Sequence, residues 1–212
     1  MSQENISPTR INLIQTKKTL KLAESGREVL ERKRDILLRE LRKSIFAAEI
    51  ARNDLQEELG KAYQSLREAS IAKGAETIAN VALGSTHKTA YAVDFRSIMG
   101  VTVPLVTFQG ETVAKPDYGF ANTNAELDLA FKQFSEVLKK LAHLAQTEGT
   151  TFQIANDVRR TQRRVNALNH VLIPRYRNTA KLIELVLEEK EREEFVRTKR
   201  IKSMIRVHEK GL

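Results

Sequence analysis

Helix breakers are confined to one stretch of this chain, and that constrains the fold more than any other feature. Of nine glycines, five (Gly74, Gly84, Gly100, Gly110 and Gly119) lie between 74 and 119, as do Pro104 and Pro116, two of the four prolines. Glycine and proline are the residues that punctuate helices, so the flanking stretches are free to run as long helices on either side of a short irregular piece. The apolar residues agree. In the first stretch a row at alternating steps of four and three runs Leu13, Thr16, Leu20, Ala23, Arg27, Leu30, Arg34, Leu37, Leu41, and resumes as Ile45, Ala48, Arg52, Leu55, Leu59, Ala62, Leu66, Ala69. The two steps of four at Leu37–Leu41–Ile45 read as a stutter, which locally unwinds a coiled coil. Leu22, Val29 and Ile36 flank the row at spacing seven, so the apolar face is broad there and either row can be the seam.

The first helix is expected to begin at Ser7-Pro8-Thr9, with Ser7 as N-cap and Pro8 at the first helical position, where a missing N–H costs nothing. The second is expected near Asn124, with the row Leu127, Phe131, Phe134, Leu138, Leu141, Ala145, Glu148, Phe152, Ala155, passing to Val158, Val165, Leu168, Leu172, Leu182 and Val186. Each segment of this length spans about 100–130 Å if unbroken. A helix so long is stable only if its stripe meets another helix, and the nearest partner is the other half of the same chain. The expected fold is therefore dominated by α-helix. It is a long antiparallel two-helix coiled coil with a small β-hairpin-like insert at the turn. Residues 1–80 form the first helix, 81–123 the irregular or β insert, and 124–212 the second helix. A bundle of shorter helices is the alternative, since Gly26, Gly60, Gly74 and Gly149 could each hide a break. Within the insert, SIMGVTVPLVTF (97–108) is rich in β-branched residues, and Pro104 confines it to an edge or a bulge. Pro174 breaks the second helical pattern and implies a bend or an interruption.

Charge is unevenly placed along a chain of net charge +9. Residues 1–43 are net +5, residues 158–212 net +8 and residues 44–157 net −4. An antiparallel hairpin would put both basic ends together and leave the insert end slightly acidic, so the two ends should prefer different neighbours. Two basic runs stand out. One is Arg159, Arg160, Arg163 and Arg164. The other is Lys199, Arg200, Lys202, Arg206 and Lys210. Phosphate binding is one reading of such runs. A solvated face is the other, with intrahelical pairs to Glu188, Glu189, Glu191, Glu193 and Glu194 serving the C-terminal run. No base-reading aromatic residues are interleaved, which favours the second for that run.

Catalytic signatures are missing from the sequence. There is no phosphate-binding G-x-x-x-x-G-K-[ST], no G-x-G-x-x-G and no G-x-S-x-G. His87, His143, His170 and His208 are scattered without metal-ligand spacing. With no cysteine, disulfides, thiolate metal sites and thiol nucleophiles are excluded, and a reducing compartment fits. No apolar run is long enough to span a bilayer, and the N-terminus has no signal-peptide core. No catalytic residue, cofactor site or metal site is expected.

Several segments together resemble the D subunits of the A-type and V-type rotary ATPases. They are Pro8-Thr9-Arg10, Leu13, Lys17-Lys18, Leu20, Ala23, Gly26, Leu30 and Lys33-Arg34-Asp35 at the start. In the insert they are Ile98-Met99-Gly100-Val101 with Val103-Pro104. RRVNALNHVLIPR from Arg163 to Arg175 is the most telling, and EEKEREEFVRTKRIK from Glu188 to Lys202 closes the set. The resemblance runs nearly end to end. It departs at Asn169, where the family pattern has Glu, and at Tyr176-Arg177, where it has an apolar residue followed by an acidic one. The resemblance implies a central rotor shaft that does no chemistry. Its two termini would enter the ring of catalytic A and regulatory B subunits. Its lower part would bind the small F subunit and seat on the funnel-shaped C/d subunit above the membrane ring. It implies a peripheral place on the cytoplasmic side of a membrane, with no insertion into it and no nucleic acid. Arg159, Arg160, Arg163, Arg164, Lys199 and Arg200 are then the candidates to meet acidic loops of the ring. A basic coiled-coil nucleic-acid binder is the first rival, distinguished by a steep loss of affinity with salt. A coiled-coil adaptor on membrane or cytoskeleton is the second, and it would need bulky apolar residues facing lipid.

Overall fold

The computed structural model describes residues 7–84, 90–109, 118 and 123–209, with side chains assigned through 83, from 91 to 107, at 118 and from 123 to 204. His87, Gly110, Pro116, Gly119 and Lys210, and the side chains of Arg206 and His208, lie outside the described residues. Helix α1 is Arg10–Lys73 and α2 is Ala75–Gly84. Strands β1 (Ala90–Ile98) and β2 (Val101–Gln109) follow, then α3 (Ala125–Ala167), a π turn (Leu168–Leu172) and α4 (Ile173–Glu209). Two long helical stretches with a two-stranded antiparallel insert between them match the expected fold class.

Capping explains where the helices start. Thr9, rather than Ser7, caps α1: its Oγ1 accepts from the backbone N–H of Asn12 at 3.2 Å, and Asn12 Nδ2 donates to the Ser7 carbonyl at 2.7 Å. Asn124 caps α3, its Oδ1 accepting from the Leu127 N–H at 3.1 Å. Of the four glycines that could break a helix, only Gly74 does. Its φ of 86° closes α1, and its N–H returns to the Ser70 carbonyl at 2.9 Å.

The chain divides into two compact units. The first holds residues 1–34 and 160–212. In it the start of α1 runs antiparallel to α4, as three ion pairs show. Arg10 Nη2 meets Glu191 Oε1 at 2.6 Å, Lys17 pairs with Glu184, and Arg177 Nη2 meets Glu24 Oε1 at 2.9 Å. Each step advances seven residues on α1 and retreats seven on α4. The buried side chains of this unit are Thr16, Thr161, Val165, Ile173, Ala180 and Ile183. The expected Leu172 and Leu182 are not among them, and Leu182 is exposed. The π turn inserts one residue, so that eight separate Val165 from Ile173, and everything beyond is re-phased. Pro174 thus acts through the turn that precedes it rather than by ending the helix.

The second unit is residues 35–159. Antiparallel helix pairing recurs here, with Arg52 to Glu148 at 2.6 Å, Lys140 to Glu58 at 3.3 Å, and the Tyr63 and Phe134 rings edge to face at 5.5 Å. Two rows differ from expectation. On α1, Leu41 passes to Ser44 and Ala48, both half-buried, while Ile45 is exposed, so the step after Leu41 is three and the expected stutter disappears. On α3 the buried row is Leu127, Ala130, Val137 and Leu144, and Leu138, Leu141 and Phe152 are exposed. Ala130 and Val137 are buried with Leu127 and Leu144, and Leu138 and Phe152 turn outward.

The hairpin is built around Met99 (φ 52°) and Gly100 (φ 80°), the two left-handed residues of a two-residue loop, with Ile98 opposite Val101. Its core contacts are Val101 and Val103 against Leu37 and Ile154, bordered by Leu41, Ile98 and Val158. Strand β2 turns its free edge to α3, where the Val106 N–H donates to Gln146 Oε1 at 3.0 Å. Pro104 has the same orientation as Val106, so its missing N–H costs no bond to β1. At the other end Tyr91 Oη donates to the Leu138 carbonyl at 3.4 Å. The hairpin therefore lies lengthwise along α3 from residue 138 to residue 154.

Candidate functional surface

Helical spacing decides what the basic runs can do. Arg159 closes the hairpin-bearing unit, while Arg160, Arg163 and Arg164 belong to the unit that holds both chain ends. All four are exposed on α3. Arg160 and Arg164 are four residues apart and share a side, and Arg163 is one step round the helix. Lys199 and Arg200 are exposed on α4. The last arginine of the first run and the first lysine of the second are separated by 35 residues of helix, about 50 Å at 1.5 Å per residue. The structure thus presents two separate basic surfaces, not one cluster.

Ion pairing divides the cations into two groups, and the six share the unpaired group with Lys18, Lys21, Lys181, Lys190, Arg192, Arg197 and Lys202 among the described residues. Arg10, Lys17, Lys43, Arg52, Lys61, Lys139, Lys140 and Arg177 all sit in ion pairs. Among the described residues, Arg159, Arg160, Arg163, Arg164, Lys199 and Arg200 have none. Among the described residues Lys199, Arg200 and Lys202 form no intrahelical pair with Glu188, Glu189, Glu193 or Glu194, and Glu191 reaches across to Arg10 instead.

The second basic surface also carries apolar side chains that the sequence reading passed over. Helix α1 begins at Arg10, which pairs with Glu191, so α4 beyond Glu191 has no α1 beside it among the described residues. There Phe195 is 70% exposed and Met204 70% exposed, with Val196 and Ile201 half open. A shallow groove on this segment is lined by Arg192, Val196, Arg200, Ile201 and Met204 among others. Mixed apolar and cationic side chains left open on a single helix make a surface suited to contact with other chains. The missed signal was the interruption of the charge run by Phe195-Val196 and Ile201, three large apolar residues in a segment otherwise read as solvated.

Among the described residues no group of three His, Asp or Glu side chains could hold a metal ion, and no helix is long and apolar enough to cross a membrane. The few shifted titrations are local. Hydrogen bonds from Lys140 and Lys61 lower the pKa of Glu58. Burial and the hydrogen bond to Asp128 push the Tyr118 phenol well above its usual range.

Paired antiparallel helices with a small two-stranded hairpin laid on one of them define the class of fold. Comparison with known proteins gives the family. The family model for the ATP synthase D subunit matches residues 12–203, and the chain belongs to that family. It is 39% identical over 204 residues to the A-type ATP synthase D subunit of Methanosphaera stadtmanae, covering 95% of each chain. It is 37% identical over 207 residues to the protein of the same name from Pyrococcus furiosus, covering 96% of each. The V-type ATP synthase D subunit of Thermotoga neapolitana is 37% identical over 201 residues, which is 95% of this chain and 98% of that one.

Proposed function

We propose that this chain is the central shaft of an A/V-type ATPase or ATP synthase. It carries torque between a membrane ion-translocating ring and a catalytic ring of A and B subunits, and it performs no chemistry itself. The observation that carries the reading is the open face of α4 beyond Glu191. Phe195, Val196, Ile201 and Met204 are grouped there on one exposed segment, and Lys199 and Arg200 beside them have no ion pair among the described residues. In this reading the A and B ring surrounds that segment. Arg159, Arg160, Arg163, Arg164, Lys199 and Arg200 meet its acidic loops as the shaft turns. Exposed ion pairs are individually weak, typically about 0.2–1 kcal/mol, so they break and re-form at each step. The shaft biases nucleotide sites only because its contacts differ between rotational positions.

The insert-bearing stretch, net negative from 44 to 157, is assigned in this reading to partners other than the ring. They are the small F subunit and the funnel-shaped C/d subunit, on the cytoplasmic side of the membrane. The test is co-purification with the F subunit and an A/B ring, with stoichiometry taken from the assembled mass. One copy per ring is expected, and failure to join the ring contradicts the reading. Alanine at all six basic positions should lower rotation-coupled ATPase activity. Unchanged activity and torque would remove those residues from the contact.

A further inference from the structure

One turn of α3 is built from poor helix formers. Residues 147–151 read Thr-Glu-Gly-Thr-Thr, and no other five-residue window of α1, α3 or α4 holds four residues drawn from Gly, Ser and Thr. Glycine lowers helix propensity through backbone entropy, and threonine through its stiff χ1. The three hydroxyls add to this. Thr147 donates to the His143 carbonyl, Thr150 to that of Gln146 and Thr151 to that of Thr147, each at 2.8 Å. Such bonds compete for carbonyls of the helix ladder, and they weaken and bend helices. Just upstream the composition is the opposite. In 136–146 every residue but Val137 and His143 is a strong helix former.

The hairpin lies over this weak turn, and its contacts bracket it. The Val106 N–H donates to Gln146 Oε1 at 3.0 Å on one side. Val101 and Val103 pack with Ile154 on the other. Between them a Cβ on Gly149 would stand 3.0 Å from Pro104 Cγ, so only glycine lets the proline ring come this close to the helix backbone. The residue that most weakens the turn is therefore also the one that admits β2.

Helical order in a stretch of low propensity comes from tertiary contact. Helix α1 reaches the turn through the Arg52–Glu148 pair, which is exposed and of a weak kind. The hold of the hairpin is apolar and closed to water, with Val103 0% and Ile154 1% exposed.

We propose that the hairpin is a strap over a weak turn of α3: residues 147–151 stay helical because β2 lies across them, and their opening is governed by the grip of the hairpin rather than by the helix itself. With the strap seated, α3 is continuous. With the strap loosened, it softens at this one turn and keeps its order upstream. The proposal concerns the chain alone and does not rest on the rotor reading.

Amide hydrogen exchange of the full chain, resolved by fragment mass spectrometry, tests it. Val103→Ala loosens β2 from Leu37 and Ile154. Amides of 147–153 should then exchange about tenfold faster, while those of 136–146, which the hairpin also covers, change by less than about threefold. Equal acceleration across 136–153, or none, overturns the proposal. Adding Thr147→Ala and Thr151→Ala raises helix propensity without altering the hairpin, and should restore most of the loss. No recovery would assign the loss to exposure alone and contradict the strap. Should Val103→Ala not fold, Gln146→Ala carries the test. It removes only the bond to Val106 and puts a better helix former in its place, so about threefold faster exchange in 147–153 can come only from the hairpin. Unchanged or slower exchange there contradicts the proposal.

Discussion

Glu24 and Arg177 form an ion pair at 2.9 Å whose polarity is the reverse of its two neighbours. In Arg10–Glu191 and Lys17–Glu184 the cation is on α1, and in Glu24–Arg177 it is on α4. Sliding one helix by a heptad would set Lys17 against Arg177, or Glu24 against Glu184. The reversal therefore selects one register by making its neighbours repulsive. It also accounts for Arg177, a departure from the family pattern, whose counter-charge is Glu24. Asn169, the other departure, is likewise a cross-helix partner, facing Arg27.

Glu24→Lys should destabilise the chain by about 1 kcal/mol, the upper range for exposed pairs, and Glu24→Lys with Arg177→Glu should recover most of it. Urea unfolding of the two single variants and the double variant measures the coupling. Additive losses would show that the pair does not set the register.

The hairpin is held by its apolar contacts. Leu37 and Ile154 are fully or almost fully buried against Val101 and Val103. Leu37→Ala should cost about 2–5 kcal/mol, the range for large-to-small changes in a core. A urea midpoint unchanged from the parent would mean that this cluster does not stabilise the fold.

Glycine substitutions separate helix propensity from packing. A Cβ at Gly26 or Gly60 would meet nothing within 4 Å, so Gly26→Ala and Gly60→Ala should each stabilise by about 1 kcal/mol. At Gly149 a Cβ would lie 3.0 Å from Pro104 Cγ. Gly149→Ala should gain less than the other two. Adding Pro104→Ala should restore the helix gain relative to Pro104→Ala alone. Equal thermal shifts at all three glycines would place Pro104 elsewhere.

Glu58 gives a pH dependence with a definite sign. Its pKa is lowered in the folded chain by hydrogen bonds to Lys140 and Lys61. The unfolded chain then binds the proton more readily. The pair contributes above the unfolded carboxylate range and is lost as pH falls through the lower folded value. Glu58→Gln should lower the thermal midpoint slightly at pH 7 and leave it unchanged at the acid end of that window. A deficit that persists in acid would assign the effect to packing.

How much of this was legible in the sequence depended on which residues carried the signal. The α1 row through Thr16, Leu20, Ala23 and Leu30 was readable because no insertion disturbs it, and breaker placement located the hairpin. The phase of α3 was not. The expected row held at Leu127 and, half-buried, at Phe131 and Phe134, but not at Leu138, Leu141 and Phe152, where Val137 and Leu144 are buried instead. The hairpin covers part of α3, which periodicity along a single helix does not register. Pro174 announced a disturbance, but not that one extra residue upstream would absorb it and shift the seam to Ile173, Ala180 and Ile183. On α4 the sequence reading passed over Phe195, Val196, Ile201 and Met204, because a charge run hides the apolar residues within it.

Rotation observed in a single assembled complex tests the central claim most directly. The chain has no cysteine, so Met99→Cys, at the exposed hairpin turn, offers a single attachment point for a probe while the A/B ring is fixed to a surface. The account predicts continuous turning in one direction on addition of ATP. A probe that stays still in a complex that has assembled and hydrolyses ATP would contradict it.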